Sequence, residues 1–139
     1  MKTSARNQIK GHVQAVRDGA VNSEVVVDIG GGALITAVIT RESVERLGLS
    51  VNSPVTVLIK ASWPILVAGS LPRSSARNQL PGTVKSLKPG PVNTEVVLEL
   101  AAGAEFVVII TSGSEAALAF RPGDAACALI KASHVILAV

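Results

Sequence analysis

One sequence of residues is written twice in this chain. Ser-Ala-Arg-Asn-Gln begins at Ser4 and again at Ser75. Each time it is followed by a Gly, a Val-Asn-x-Glu-Val-Val core, an Ile-Thr pair and a closing Leu-Ile-Lys-Ala-Ser. The offset is about 71 residues from end to end and needs no gap, and about 26 of roughly 65 aligned positions are identical. A tandem duplication of one small module follows, with the first module over residues 1–68, a turn-rich linker over 69–74 and the second module over 75–139. Positions kept in both copies are those the shared fold or a shared site uses.

A unit of about 65 residues buries only about 60% of its unfolded surface, so each copy alone is marginal and packing between copies or chains is part of folding. The 139 residues are 48% hydrophobic but only 2% aromatic. That apolar excess is not a spanning helix, because Lys and Glu interrupt every run well short of the roughly 20 apolar residues such a helix needs. The opening Met1-Lys2-Thr3-Ser4-Ala5-Arg6-Asn7 turns polar where the apolar stretch of a secretory signal would begin, which favours the cytoplasm. Cys127 is the sole cysteine and sits in an apolar run, where a buried, inert thiol is expected.

The net charge of +3 is dispersed along the chain, Tyr is absent, and Trp63, Phe106 and Phe120 are the only rings. Nucleic-acid binding by stacking and a basic stripe is therefore not expected.

Apolar alternation marks strands at Ile9 to Val16, Glu24 to Ile29 and Leu34 to Ile39, with Asp18-Gly19 and Gly30-Gly31-Gly32 as the turns between them. The period then becomes helical over Arg41–Leu47, with Thr40 as N-cap and Gly48 as stop. A fourth strand at Pro54 to Lys60 and a short fifth at Ile65 to Val67 complete the unit. The second copy repeats the order with Thr83 to Leu87, Glu95 to Leu100, Glu105 to Ile110, a helix from about Ser114 to Phe120, Ala125 to Lys131 and Val135 to Val139. The fold predicted is all-β: two tandem five-stranded barrels of the OB type, each with one short helix.

Catalytic patterns are missing from this sequence. His12 aligns with Thr83 and His134 with Trp63, so neither histidine is duplicated. No Cys/His or carboxylate spacing matches a metal cage. Glu24 and Glu95 give one carboxylate per module and hence no acid/base pair. The Gly30-Gly31-Gly32 run lacks a following Lys-Ser/Thr and leads into a strand, so it is a turn and not a phosphate loop. An enzyme is not expected, and no catalytic cofactor with it.

The duplicated polar set is more specific. Each copy has a Ser and an Arg two apart (Ser4 and Arg6; Ser75 and Arg77), a helix-cap Thr with a Ser three later (Thr40 and Ser43; Thr111 and Ser114), and a Lys at a strand end (Lys60; Lys131). Cations, hydroxyl donors and helix-terminal N–H groups together suit a tetrahedral dianion. Singly, each has a structural explanation as a cap, a first-turn residue or an edge lysine.

The strings Thr3 to Gln8, Gly19 to Val25, Ile39-Thr40 through Leu49, and Leu58 to Ser62 resemble the Mop domain, the molybdate/tungstate-binding module of the molbindins, and both copies match. The resemblance covers nearly the whole chain. It implies a cytoplasmic store or buffer of molybdate or tungstate, assembled as a homotrimer with oxyanions between modules. On the same resemblance, Ser4, Arg6 and Lys60 come from one module and Thr40 and Ser43 from its neighbour, with Ser75, Arg77, Lys131, Thr111 and Ser114 as the equivalent set. A second kind of site, near a threefold axis, would use backbone N–H groups around Val21-Asn22 and Val92-Asn93. Pro64, Pro81, Pro89 and Pro91 depart from the pattern, as does Gly113 in place of Glu42, and Pro91 removes an N–H donor. The competing reading is an OB-type nucleic-acid or protein-interaction module.

Overall fold

A computed structural model describes residues 1–139 apart from the side chain of Ala102. The chain runs β1 (Asn7–Asp18), β2 (Asn22–Gly30), β3 (Ala33–Thr40), α1 (Arg41–Leu47), β4 (Pro54–Ile59) and β5 (Ile65–Ala68). It repeats as β6 (Asn78–Lys88), β7 (Asn93–Leu100), β8 (Glu105–Thr111), α2 (Ser112–Leu118), β9 (Ala125–Ile130) and β10 (Ile136–Ala138). One-turn 3₁₀ segments lie at Ala101–Gly103 and Ala132–His134.

All pairings are antiparallel, in two curled five-stranded sheets of order β10-β4-β1-β2-β3 and β5-β9-β6-β7-β8. This corrects the expectation that each fifth strand completes its own copy. The first copy's β5 pairs with β9 of the second, and the second copy's β10 pairs with β4 of the first. Alternation of apolar residues specifies which face of a strand is buried but not whose edge it joins. Both fifth strands begin Ile-Leu, so the two edges are equivalent docking sites. The choice is made by the path of the chain: after β4 the Ala61 carbonyl accepts a hydrogen bond from Ile109 N–H (2.8 Å), which carries the first copy across to β8.

Inside each sheet the repeat is faithful. Both long first strands shift register at the same place, between Val13 and Ala15 and between Val84 and Ser86, as a bulge that increases curl. Gly11 and Gly82, just before the bulge, are required by close approach. A Cβ at Gly11 would lie 2.4 Å from the Asp28 carbonyl oxygen, and one at Gly82 would lie 2.8 Å from that of Glu99. Alternation buries Val25 and Val27 in β2 and Val96 and Leu98 in β7, and these join Ile35, Val57, Phe106, Val108 and Ile130 in one apolar cluster spanning both copies. Cys127 is also buried, and burial pushes its thiol pKa up.

The helices are caps on the third strands. Thr40 Oγ1 accepts from Ser43 N–H and Thr111 Oγ1 from Ser114 N–H, each at 3.1 Å. Helix α1 has the bounds the sequence predicts. Helix α2 starts at Ser112 and ends at Leu118, two residues before the expected span, because the Thr111 cap fixes its start as Thr40 does for α1. No helix is long and apolar enough to cross a membrane, and no His/Cys/Asp/Glu cluster among the described residues could hold a metal ion.

Candidate functional site

The two copies clasp each other reciprocally. Arg6 donates from both terminal guanidinium nitrogens to the Glu95 carboxylate (3.0 and 3.2 Å), and Arg77 does the same to Glu24 (3.1 and 3.3 Å). The next residue in each motif is buried. Asn78 bridges the otherwise unpaired edge of β3, with its Nδ2 donating to the Thr36 carbonyl (2.8 Å) and its Oδ1 accepting Thr36 N–H (2.7 Å). Asn7 grips Val107 on β8 in the same way, at 2.8 and 2.7 Å. Each asparagine satisfies an unpaired strand edge that would otherwise invite another chain.

These contacts decide where the predicted anion residues lie. Strand β2 pairs with β3 through Glu24↔Val38 and Asn22↔Thr40, so Arg77 reaches the end of the first-copy hairpin that carries Thr40 and Ser43. Conversely, Ala61, next to Lys60, is bonded to Ile109, two residues before Thr111. Thr111 and Ser114 line a cleft of about 470 Å³ together with Pro64, Ile65 and Leu66 of the first copy. Within one chain, then, each hydroxyl pair lies beside the basic segment of the other copy. Ser75 and Lys131 line a second cleft, of about 230 Å³, with Trp63 and His134. No hydrogen bond among the described residues joins Thr40, Ser43, Thr111 or Ser114 to Arg6, Arg77, Lys60 or Lys131. The hydroxyls instead pair locally, Thr40 with Ser43 and Thr111 with Ser114, both at 2.8 Å between oxygens.

Electrostatically the set is cationic, with the carboxylates bound to its arginines. Hydrogen bonding from Arg6 is the main force holding the Glu95 carboxyl below the usual carboxylate range; burial opposes it, and the charges of Arg6 and Lys88 reinforce it. The Arg6 pKa is raised, chiefly by the same hydrogen bond. Two of the five guanidinium N–H donors are used by the carboxylate, leaving others for an anion while the fork is held in place. Ser4, Arg6, Lys60, Ser75, Arg77 and Lys131 are all exposed in the single chain.

The turns assigned to the axial sites protrude. Val21 and Val92 are each 72% exposed, and their carbonyls accept the first helical N–H groups, Arg41 N–H and Ser112 N–H, both at 2.8 Å. Gly19 and Gly90 make these turns possible, since a Cβ there would sit 2.7 or 2.6 Å from the Asn22 or Asn93 carbonyl oxygen.

Sequence reasoning missed the partners of Glu24 and Glu95 and the clasp made by Asn7 and Asn78. All four residues are identical between the copies, which was the available signal. It was hidden because the residues act only across the module boundary.

The TOBE domain family model matches residues 3–66 and 74–137. The chain is 46% identical over its whole length to the molybdenum-pterin-binding protein MopA of Rhodobacter capsulatus and 45% identical to the molybdenum transport protein ModE of Azotobacter vinelandii. It covers 53% and 52% of those proteins and so spans about half the length of the curated relatives it matches. Among solved structures, the cytoplasmic molybdate-binding protein ModG, in a form with molybdate bound, superposes with a TM-score of 0.96 at 47% identity, covering 100% of this chain and 99% of that one.

Proposed function

Because the chain belongs to the TOBE domain family, of which it carries two copies, we propose that it binds molybdate, with tungstate as a near-isosteric competitor, where one module meets another. The observation that carries this reading is the end-to-end match to ModG, a cytoplasmic protein with molybdate bound. The proposed ligands are Ser4, Arg6 and Lys60 with Ser75, Arg77 and Lys131, joined by the hydroxyls of Thr40, Ser43, Thr111 and Ser114. The backbone turns at Val21-Asn22 and Val92-Asn93 form a separate axial class. The role is storage and homeostasis in the cytoplasm, not catalysis.

A tetrahedral dianion offers four acceptor oxygens. Lysine and arginine supply charge-assisted hydrogen bonds, and the hydroxyls supply neutral ones. The helix-cap pairs would exchange their mutual hydrogen bond for one to the anion. Glu24 and Glu95 act as positioning residues that hold each guanidinium aimed.

The working form is a homotrimer. Supporting this, Val21 and Val92 at 72%, Ile65 at 65% and Ile136 at 48% are matched apolar residues exposed in the single chain, in a protein whose modules are too small to be self-sufficient. Sedimentation of ligand-free protein is expected at three times 14.2 kDa. A folded monomer at micromolar concentration would refute the trimer.

Calorimetric titration with molybdate tests the ligands. Lys60→Ala and Lys131→Ala should each weaken one class of site by roughly 10- to 150-fold, the loss of a charge-assisted hydrogen bond of about 1.5–3 kcal/mol. The double variant should lose both intermodule classes and keep the axial ones. Unchanged affinity and stoichiometry in the double variant would overturn the assignment. Tight binding of single-stranded nucleic acid with no heat from molybdate would favour the interaction-module reading.

A further inference from the structure

Trp63 and His134 occupy matching positions of the two copies, three residues after Lys60 and Lys131, and the fold brings them into contact. Their ring centroids are 5.6 Å apart and the ring planes are inclined by 39°. Each is set by the same short turn: Trp63 N–H donates to the Lys60 carbonyl (3.0 Å) and His134 N–H to that of Lys131 (2.9 Å). The approximate twofold relation between copies thus passes through an unlike pair, an indole and an imidazole. The cleft that holds Ser75, Ala76 and Lys131 is lined on its other side by this pair. Among the described residues, Lys131 and His134 are the only ionisable side chains lining it; the others on that side are Ser74, Ile65 and Leu129. Strand β3, which packs against the turn bearing His134, contains no ionisable residue. No carboxylate from these elements competes for the imidazole.

An anion in this cleft meets one fixed charge, the hydroxyls of Ser74 and Ser75 and a ring that becomes a second charge on protonation. An indole offers a single neutral N–H and cannot change charge. We propose that His134 is an additional anion contact of the Ser75–Arg77–Lys131 set, and that its protonation strengthens that set relative to the Ser4–Arg6–Lys60 set. The inference rests on the oxyanion-binding reading given above. A bound dianion and a protonated imidazole stabilise each other. By linkage, protons raise the anion affinity of this set, by roughly tenfold for a coupling of ordinary size.

The test is an NMR titration of both imidazoles in the full chain between about pH 6 and 8, free and saturated with molybdate, beside calorimetry at the two ends of that range. Binding at the acid end should be roughly tenfold tighter in one class of sites, and the His134 ring signals should shift on saturation. His12, which lines a different cleft with Lys10 and Asp28, is the internal control and should not move. Lys131→Ala should abolish the His134 response. H134W should remove the pH dependence. His134 ring signals unmoved at full occupancy of the Lys131-dependent class, with no pH dependence of its affinity, overturn this inference and leave molybdate binding standing. No heat from molybdate at any pH overturns both.

Discussion

The β2–β3 turn of the first copy uses Gly30, Gly31 and Gly32, all in the left-handed region with φ of 88°, 63° and 78°. The matching β7–β8 turn is a 3₁₀ segment in which Gly103 has positive φ (79°). Helix α1 ends on Gly48 with φ of 64°, while α2 ends on Ala119 with φ of 49°, a strained value for a residue with a Cβ. The first-copy β1–β2 turn is pinned by Ser23 Oγ donating to Asp18 (2.7 Å). In the second copy Pro89 has replaced that aspartate, and Thr94 pairs instead with Ser112, whose hydroxyl donates to the Gly90 carbonyl (2.7 Å). Lys85 pairs with Glu105 only in the second copy. By contrast, the arginine–glutamate forks, the asparagine clasps and the exchanged fifth strands are the same in both. Hairpins and helix ends are local and admit several solutions. A contact reaching into the other copy must match a partner that changes independently, so it is held fixed.

The largest effect should come from the clasp. Asn78→Ala strands a buried N–H and a buried C=O on Thr36 and should lower stability by about 2–5 kcal/mol in denaturant unfolding. Asn7→Ala should lower it by less, because the Val107 contact is only part-buried and water can replace it. Equal losses would break the distinction between the two edges.

Strand exchange predicts damage in the wrong copy. Leu137→Ala should lower stability by about 2–3 kcal/mol, toward the low end of the usual cost because β10 is short and terminal. The amide protection lost should map to β4 of the first copy, since Leu137 pairs with Val57. Leu66→Ala should expose β9 of the second copy, where Leu66 pairs with Ala128. Protection lost within the mutated copy would show that each sheet closes on itself.

The helix stops should respond with opposite sign. Gly48→Ala should destabilise and Ala119→Gly stabilise, each by about 1 kcal/mol, because only the residue with a Cβ is strained at positive φ. Thermal unfolding of both and of the double variant checks this, and the double variant should lie near the wild type.

The smallest effect is electrostatic. The Glu95 pKa lies below its ordinary value in the folded chain, so the Arg6–Glu95 fork contributes stability above the unfolded carboxylate pKa of about 4.3 and loses it as pH falls through the folded value. Arg6 is exposed and Glu95 half-buried, so the loss should be modest and should shrink in high salt. Glu95→Gln should flatten this acid limb in a pH series of melting curves.

Much of the fold is legible in the residues alone. The repeat, the apolar alternation of β2 and β7, the Gly turns and the Thr40 cap are read directly from neighbouring residues, because those elements depend on periods of two and 3.6 and on backbone freedom. The start of α2 is harder to place, since Gly113 weakens the helical pattern that Glu42 supports in α1. The polar kit of the candidate site is visible as residues shared by both copies, but the crossed neighbourhood of Lys60 with Thr111, or Arg77 with Thr40, is not.

The sequence by itself determined that one unit folds twice and which faces of its strands are apolar, since both follow from local pattern. Tertiary structure alone decided that β5 and β10 change sheets, that Glu24 and Glu95 hold the arginines of the opposite copy, and that Trp63 meets His134. Those outcomes depend on which of two near-identical edges a strand joins, and nothing within a strand distinguishes one edge from the other.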